Sequence, residues 1–275
     1  MDHNGRRRRG RGHRLRLRVP VGAGDTAVAG AAFGSERRDP YDPVPRQSGE
    51  RPAPTAPAHR YVAAASGPRG LALLAPGFFE YEWSPHREFL VTLVRSVGEL
   101  SRPDLPSRPG HAAWPAATPD AQERGRHVVD LAVIPVTDAD GGNPDALEQC
   151  WEDAFAPLQS VFIREFTGEF DPAEWPGVTL DGEALVFSAA KPAESGEAIV
   201  LRCYNVADAP AEGRWTLPSA AGAAWLALAD ESIVEPLTVI ERQVAFTAAP
   251  RGIVTVIVTP AVAGAESGAQ HAIDC

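Results

Sequence analysis

Residues 101–114 (SRPDLPSRPGHAAW) bring charged, imidazole and indole side chains together in one proline-rich stretch. Guanidinium and carboxylate groups make strong, directional hydrogen bonds, and an indole ring offers a flat apolar surface for stacking. The stretch is too irregular for a strand and too long for a simple hairpin loop, and long loops on rigid sheets commonly carry binding residues. The candidate ligand-binding residues are therefore Arg102, Asp104, Arg108, His111 and Trp114.

The same side chains also fit a purely structural role. Arg102 and Asp104 are close enough in sequence to form an ion pair within the loop, and Trp114 could cover one end of a β-sandwich. We favour this structural role and keep ligand binding as the alternative.

Elsewhere, the reactive residue types stand alone. His127 lies in an alternating stretch, where a single histidine is usually a structural group. Cys150, Cys203 and Cys275 show no CxxC or Cys/His spacing of a metal site, and Cys203 fits a small buried hydrophobic residue. The acidic turn at 138–143 (DADGGN) lacks the later glutamate of a calcium-binding loop. The sequence therefore predicts no catalytic residue and no metal ligand in this chain.

The composition narrows the class of partner and compartment. The 275 residues carry a formal net charge of −10, which argues against nucleic acid as a partner. No apolar run approaches the roughly 20 residues of a membrane helix. Three widely spaced cysteines suit free thiols in a reducing compartment better than disulfide bonds, which predicts a cytoplasmic protein.

The elements that would position the candidate loop are mostly strands. Residues 13–19 (HRLRLRV) alternate arginine with aliphatic residues, which predicts a strand whose arginines form an exposed face. Residues 71–74 and 89–97 are apolar runs that predict the two strands of a hairpin, the second of them central in its sheet. Residues 125–135 resume the alternation of a strand. Residues 144–157 begin with proline and space their apolar residues by three and four, which predicts the single short helix.

From residue 178 onward the pattern is one of short strands separated by turn residues, as in an antiparallel sandwich. The fold class predicted for the whole chain is mostly β, with a large antiparallel β-sandwich followed by a smaller one. The predicted organisation is a disordered basic leader at 1–12, a large β-sandwich domain at 13–175, a C-terminal β domain at 176–262 and a flexible tail at 263–275.

Several ordered motifs together resemble the carbohydrate-side β region of bacterial α-mannosidases of glycoside hydrolase family 38. They are GLALLAPGFFEYEW from Gly70, FLVTLVRSVGEL from Phe89, SRPDLPSRPGH from Ser101, TPDAQ from Thr118, GRHVVDLAVIP from Gly125 and ALVFSAAKPAESGEAIVLRCYN from Ala184. The resemblance implies a large β-sandwich that is incomplete at its N-terminus. It also implies that residues 101–114 approach outer sugar subsites, with a mannose-containing glycan as partner.

The same resemblance implies retaining hydrolysis with zinc and an aspartate nucleophile, both held in that family by a catalytic barrel. No residue here matches those motifs, so we expect no cofactor in this chain and no activity from the chain alone. It is then the C-terminal portion of an α-mannosidase. The alternatives are a free-standing carbohydrate-binding or accessory subunit that pairs with a separately encoded barrel, and, least favoured, a complete small glycosidase.

Overall fold

The computed structural model describes residues 13–42, 44, 52–78, 80–105, 108–110, 113–138, 143–158, 160, 162, 177–196 and 198–261. The chain divides into two compact units, Met1–Pro157 (unit 1) and Leu158–Cys275 (unit 2). The predicted leader, the predicted tail and the predicted boundary between residues 175 and 176 lie outside the described residues.

Unit 1 is built almost entirely from strands. They are β1 (His13–Pro20), β2 (Ala27–Ala31), β3 (Gly34–Arg38), β4 (Tyr61–Ser66), β5 (Arg69–Leu74), β6 (Tyr81–Trp83), β7 (Glu88–Ser96), β8 (Glu99–Leu100), β9 (Asp104–Leu105), β10 (Arg108–Pro109), β11 (Ala116–Ala117) and β12 (Ala132–Pro135). A short 3₁₀ helix (Pro119–Gln122) follows β11, and helix α1 (Pro144–Phe155) follows β12.

Two antiparallel sheets of unit 1 pack face to face. One has five strands in the order β12-β5-β4-β2-β3, and the other has three in the order β1-β7-β6. Because side chains alternate between the faces of a strand, β6 and β7 direct Tyr81, Trp83, Phe89 and Val91 toward Leu73 and the alanines of the larger sheet. The predicted central position of the strand at 89–97 is confirmed, since β7 lies between β1 and β6.

Helix α1 covers the second face of the five-stranded sheet. Its residues Leu147 and Trp151 belong to the same apolar cluster as Tyr61 and Leu74, and the Trp151 indole N–H donates to the Ala75 carbonyl at 2.8 Å. The predicted helix is confirmed and ends at Phe155. A sheet covered on both faces needs apolar residues on both, which accounts for the run of Val and Ala in β4.

The predicted hairpin of residues 71–74 and 89–97 is wrong. Strand β5 pairs with β4 and β12, whereas β7 pairs with β1 and β6, so the two strands lie in different sheets. The residues between them form β6, the hairpin partner of β7. Two apolar strands close in sequence can pair or face each other across a core, and the alternation of side chains is the same in both cases.

The predicted strand at 125–135 is shorter than expected. Only β12 pairs with β5, starting from the Ala132–Leu74 partners. Since β5 ends at Leu74, it offers no backbone groups to the residues before Ala132. His127 therefore lies outside a strand, exposed, with its Nε2 atom 2.8 Å from the Glu123 carbonyl oxygen.

Unit 2 is a second antiparallel sandwich. Its strands are β13 (Thr179–Asp181), β14 (Leu185–Pro192), β15 (Ile199–Asn205), β16 (Ala211–Thr216), β17 (Ala221–Ala227), β18 (Ile233–Leu237), β19 (Val239–Ile240), β20 (Gln243–Ala248) and β21 (Ile253–Pro260). They form sheets in the orders β13-β16-β20-β19 and β14-β15-β21-β17-β18. The fold class predicted from the sequence, mostly β and antiparallel with a sandwich architecture, is confirmed.

The core of unit 2 lies between its sheets around Trp215, Phe246 and Leu201. Gly213 makes this packing possible, because a Cβ atom there would lie 2.3 Å from Cζ of Phe246. The residues 239–246, predicted as one strand, form the hairpin of β19 and β20 instead, with Glu241 in the left-handed region at φ 55°. Among the residues described for both units, no helix is long and apolar enough to cross a membrane.

Candidate functional site

The candidate loop is closed at its base by two short strands. Leu100 and Glu99 of β8 pair with Ala116 and Ala117 of β11, so the chain leaves and re-enters the same place after β7. A loop with paired ends has less conformational freedom than one with free ends. The base of residues 101–114 is therefore fixed to unit 1.

The segment after the loop fastens this base to the end of β7. The Val97 carbonyl oxygen accepts hydrogen bonds from the Thr118 hydroxyl at 2.7 Å and from the Gln122 side-chain amide at 2.6 Å. The Val97 N–H donates to the Ala121 carbonyl at 2.7 Å. The TPDAQ motif thus positions the loop. The sequence analysis used this motif only for family resemblance and missed its positioning role, although its conserved-looking polar side chains flank the loop directly.

The loop contains a small hairpin of its own, which the sequence analysis did not predict. Asp104 pairs with Pro109 and Leu105 with Arg108, forming β9 and β10. The Gly110 N–H, with Gly110 at φ 99°, donates to the Pro103 carbonyl at 2.9 Å. Positive φ is readily reached by glycine, which explains the glycine after Pro109.

The five predicted site residues have different standing in the structure. Trp114 is 90% exposed, so it does not cover an end of the sandwich as the structural interpretation assumed. Arg102 is half-buried. Asp104 and Arg108 lie on the paired strands β9 and β10, which brings their backbones together, while their side chains and the whole of His111 lie outside the description.

The outer face of the three-stranded sheet carries charge pairs. Glu80 is buried and accepts a hydrogen bond from the Thr92 hydroxyl at 2.7 Å, and it forms ion pairs with Arg14 at 3.3 Å and Arg95 at 3.2 Å. Arg16 pairs with Glu82 at 2.9 Å. The prediction that the arginines of β1 form a freely exposed face is therefore wrong, because the strands beside β1 supply carboxylates that neutralise them.

A second group of acids lies where α1 meets the five-stranded sheet. One guanidinium nitrogen of Arg60 donates to Glu148 at 2.8 Å and to Glu152 at 2.7 Å, and the guanidinium lies 4.2 Å from the centre of the Trp151 ring. Glu148 is fully buried. Burial raises the pKa of its carboxyl group above the ordinary value, although the bond from Arg60 opposes the shift. This cluster joins the helix to the sheet and is closed to a substrate.

The remaining reactive groups do not form a catalytic arrangement among the residues described. No group of three or more His, Cys, Asp or Glu side chains there is placed to hold a metal ion. Cys150 and Cys203 are free thiols, and burial raises the pKa of Cys203 to about 12, which keeps it protonated. We therefore derive no chemical step through a metal on this chain.

Comparisons with known proteins agree with this architecture. Residues 184–256 match the model of the glycosyl hydrolases family 38 C-terminal beta sandwich domain. No curated protein sequence matches the chain. Among solved structures, an alpha-mannosidase from Enterococcus faecalis V583 is similar over 89% of this chain, with a TM-score of 0.63 and 21% identity.

A second solved structure, a protein in the glycosyl hydrolase family 38 from Enterococcus faecalis, is similar over 89% of this chain with a TM-score of 0.62 and 21% identity. The chain spans only 25% and 26% of the lengths of these two proteins. At this identity the likeness to the structures shows the fold alone. In fold over most of its length, and in sequence over residues 184–256, the chain resembles the C-terminal β-sandwich region of the family 38 glycosyl hydrolases, which confirms the resemblance indicated by its motifs.

Proposed function

We propose that this chain is the carbohydrate-side β region of a retaining, zinc-dependent α-mannosidase and that it shapes a sugar subsite without supplying the catalytic groups. In this proposal the zinc and the nucleophile belong to a catalytic barrel, encoded either with this region or separately. The likeness to family 38 in both units supports the proposal. The partner is a mannose-containing glycan, and the free thiols support a cytoplasmic location.

The observation that carries the proposal is the exposed indole on a fastened loop. Trp114 is 90% exposed, yet it follows a hairpin whose base is held by β8, β11 and the two bonds to Val97. An exposed tryptophan is costly unless it has a partner, and its ring stacks well on the apolar face of a pyranose. Such an indole on an anchored loop suits a wall of a sugar subsite.

The first experiment measures hydrolysis of 4-nitrophenyl α-mannoside by the chain alone, with and without added zinc. We expect no turnover, because neither a metal site nor a pair of carboxyl groups facing a sugar subsite is assigned to it. Zinc-dependent turnover that disappears when one acid of this chain is replaced would overturn the proposal.

The second experiment tests the loop in a chimera, in which this chain replaces the matching β region of the Enterococcus faecalis alpha-mannosidase. Arg102→Ala should raise KM about ten- to a hundredfold if a charged hydrogen bond to a hydroxyl is lost, and His111→Ala only a few-fold. Trp114→Ala should also raise KM, and Gln149→Ala on the exposed face of α1 is the control.

The outcomes separate the competing interpretations. Equal losses of thermal stability in the loop variants with unchanged KM would show that the loop only packs. Binding of α-mannosides by the isolated chain as tight as in the chimera would favour a free-standing carbohydrate-binding subunit. Only a raised KM with an unchanged melting temperature supports the subsite wall.

A further inference from the structure

A cavity of about 220 Å³ lies in unit 1 where the edges of its two sheets meet. Strand β3 is the last strand of the larger sheet and β6 the last of the smaller one. The connector after β3 runs along β6, where the Tyr41 N–H donates to the Trp83 carbonyl at 2.9 Å and Ala56 exchanges two backbone hydrogen bonds with Tyr81. The cavity lies under this connector and shares no residue with the loop at 101–114.

Two buried polar atoms on the wall of this cavity have no hydrogen-bond partner. They are the Tyr81 hydroxyl and the Trp83 indole nitrogen, on side chains that are 0% and 2% exposed. Native proteins satisfy the large majority of buried polar groups, so each exception calls for an unseen partner or a function. Here both exceptions belong to neighbouring residues of one short strand and line one cavity.

The other lining groups define what could satisfy these atoms. Asp39 and Arg38 are exposed, and the Asp42 carboxylate accepts a hydrogen bond from the Val44 N–H at 3.0 Å. Burial raises the pKa of Tyr81 to about 12, so its hydroxyl keeps its proton and can donate. The lining therefore offers neutral donors at its buried wall and two carboxylate acceptors beside a single guanidinium, with prolines between them.

This combination selects a class of ligand. Two carboxylates against one guanidinium disfavour an anion, and a cation would leave the phenol and indole donors unmet. An apolar ligand would leave them unmet as well. A hydroxyl group can accept from an N–H or O–H while donating to a carboxylate, so a polyhydroxylated ring satisfies both sets. The volume is small beside the roughly 300–1,000 Å³ of sites for drug-sized ligands, which limits the ligand to one ring.

We propose that this cavity binds one neutral sugar ring, with Trp83 and Tyr81 donating hydrogen bonds to its hydroxyl groups and Asp39 and Asp42 accepting them. The proposal is independent of the subsite wall at 101–114, because it rests on different residues and a different observation.

The test is a titration of the full chain with the methyl α-glycosides of mannose, glucose and galactose, and with inorganic phosphate, followed by ligand-observed NMR. We expect saturable binding of at least one glycoside. Tyr81→Phe and Trp83→Phe should each weaken it about three- to tenfold, since each removes one neutral hydrogen bond and keeps the ring. Trp215→Phe in unit 2 is the matched control, because it removes another buried indole nitrogen without a partner, and it should leave the affinity unchanged.

A stability measurement accompanies the titration. Since neither atom has a partner within the protein, the two phenylalanine variants should melt at or above the temperature of the parent chain while binding less. Lower melting temperatures in both, without glycoside binding by the parent, would mean that ordered water fills the cavity, and would overturn the proposal.

Three other results would also overturn it. These are no saturation by any glycoside up to about 100 mM, tighter binding of phosphate than of every glycoside, and glycoside binding that neither Tyr81→Phe nor Trp83→Phe alters. The last result would move the sugar site elsewhere in the chain, and Trp114→Ala would then show whether it lies at the loop.

Discussion

Unit 1 and unit 2 are both antiparallel sandwiches, but they treat buried polar groups differently. Among the residues described, the buried polar or charged side chains of unit 2 are Asn205 and Thr255, whereas those of unit 1 are Glu80, Ser84, Glu88, Thr92, Ser96 and Glu148. Unit 2 places one apolar cluster between two sheets. Unit 1 has apolar clusters on both faces of its larger sheet and charge pairs on the outer face of its smaller one.

The buried polar groups also find their partners in different ways. In unit 2 the Asn205 side chain donates to the carbonyls of Ala209 at 2.8 Å and Ala249 at 3.1 Å and accepts from the Ala207 N–H at 2.8 Å. In unit 1 the buried glutamates depend on arginine side chains. Backbone partners come with the fold, but an arginine partner can be removed by one substitution. Unit 1 should therefore respond to changes of charge, and unit 2 to changes of volume.

Truncation of Trp215 should have the largest effect. Trp215 is fully buried in unit 2, with Phe246 and Phe187 around it at ring-centre distances of 6.4 and 6.2 Å. Trp215→Ala should lower the free energy of unfolding by about 3–5 kcal/mol through the lost transfer energy and the cavity. Hydrogen exchange of peptides from β13 to β21 measures the loss. Trp114→Ala, at an exposed indole, should change stability by less than about 0.5 kcal/mol, and equal losses would contradict the assigned core.

Removal of the Arg60 side chain should have the next largest effect. Arg60→Ala leaves Glu148 buried without its positive partner, which should cost about 3 kcal/mol at neutral pH. Thermal unfolding measures the change. The control is Arg87→Ala, whose exposed ion pair with Asp25 should contribute little. Similar melting temperatures for the two variants would show that Arg60 does not hold α1 to the sheet.

The same variant has a predictable dependence on pH. The folded-state pKa of Glu148 is raised above its ordinary value of 4.5, so the folded state binds the proton more tightly than the unfolded state. This contribution to stability is fully present below pH 4.5 and is lost as pH rises through the raised pKa. Because Arg60 opposes the shift, Arg60→Ala should raise that pKa further and lose stability more steeply with rising pH. Glu148→Gln should abolish the difference in slope, and an unchanged slope would contradict the assignment.

Loosening the candidate loop should have the smallest effect. Gln122→Ala removes one of the two side-chain bonds to the Val97 carbonyl, which should speed amide exchange in residues 98–118 about three- to tenfold. Thr118→Ala should act similarly through the other bond. Gln149→Ala removes an exposed side-chain bond to Asp153 on α1 and should leave the loop unchanged. Exchange that is as slow in Gln122→Ala as in the parent would show that the loop is held by other contacts.

Local patterns in the sequence were enough to predict the kind of structure. Proline at its start and apolar residues at spacings of three and four predicted helix α1, and alternation predicted β4, β5 and β7. The short strands of unit 2 also followed from alternation between turn residues, apart from β18 and the division of β19 from β20. These features depend on a few neighbouring residues, which is why the sequence alone determined them.

Only the tertiary structure decided which strands share a sheet and which polar groups meet. It separated β5 from β7, paired Arg14 with Glu80 across 66 positions of sequence, and gave the TPDAQ segment its bonds to Val97. It also placed the unpaired atoms of Tyr81 and Trp83 beside one cavity, although their alternation indicates only a buried strand face. Periodicity specifies which side of a strand is apolar, but the identity of the partner depends on contacts between residues far apart in the chain.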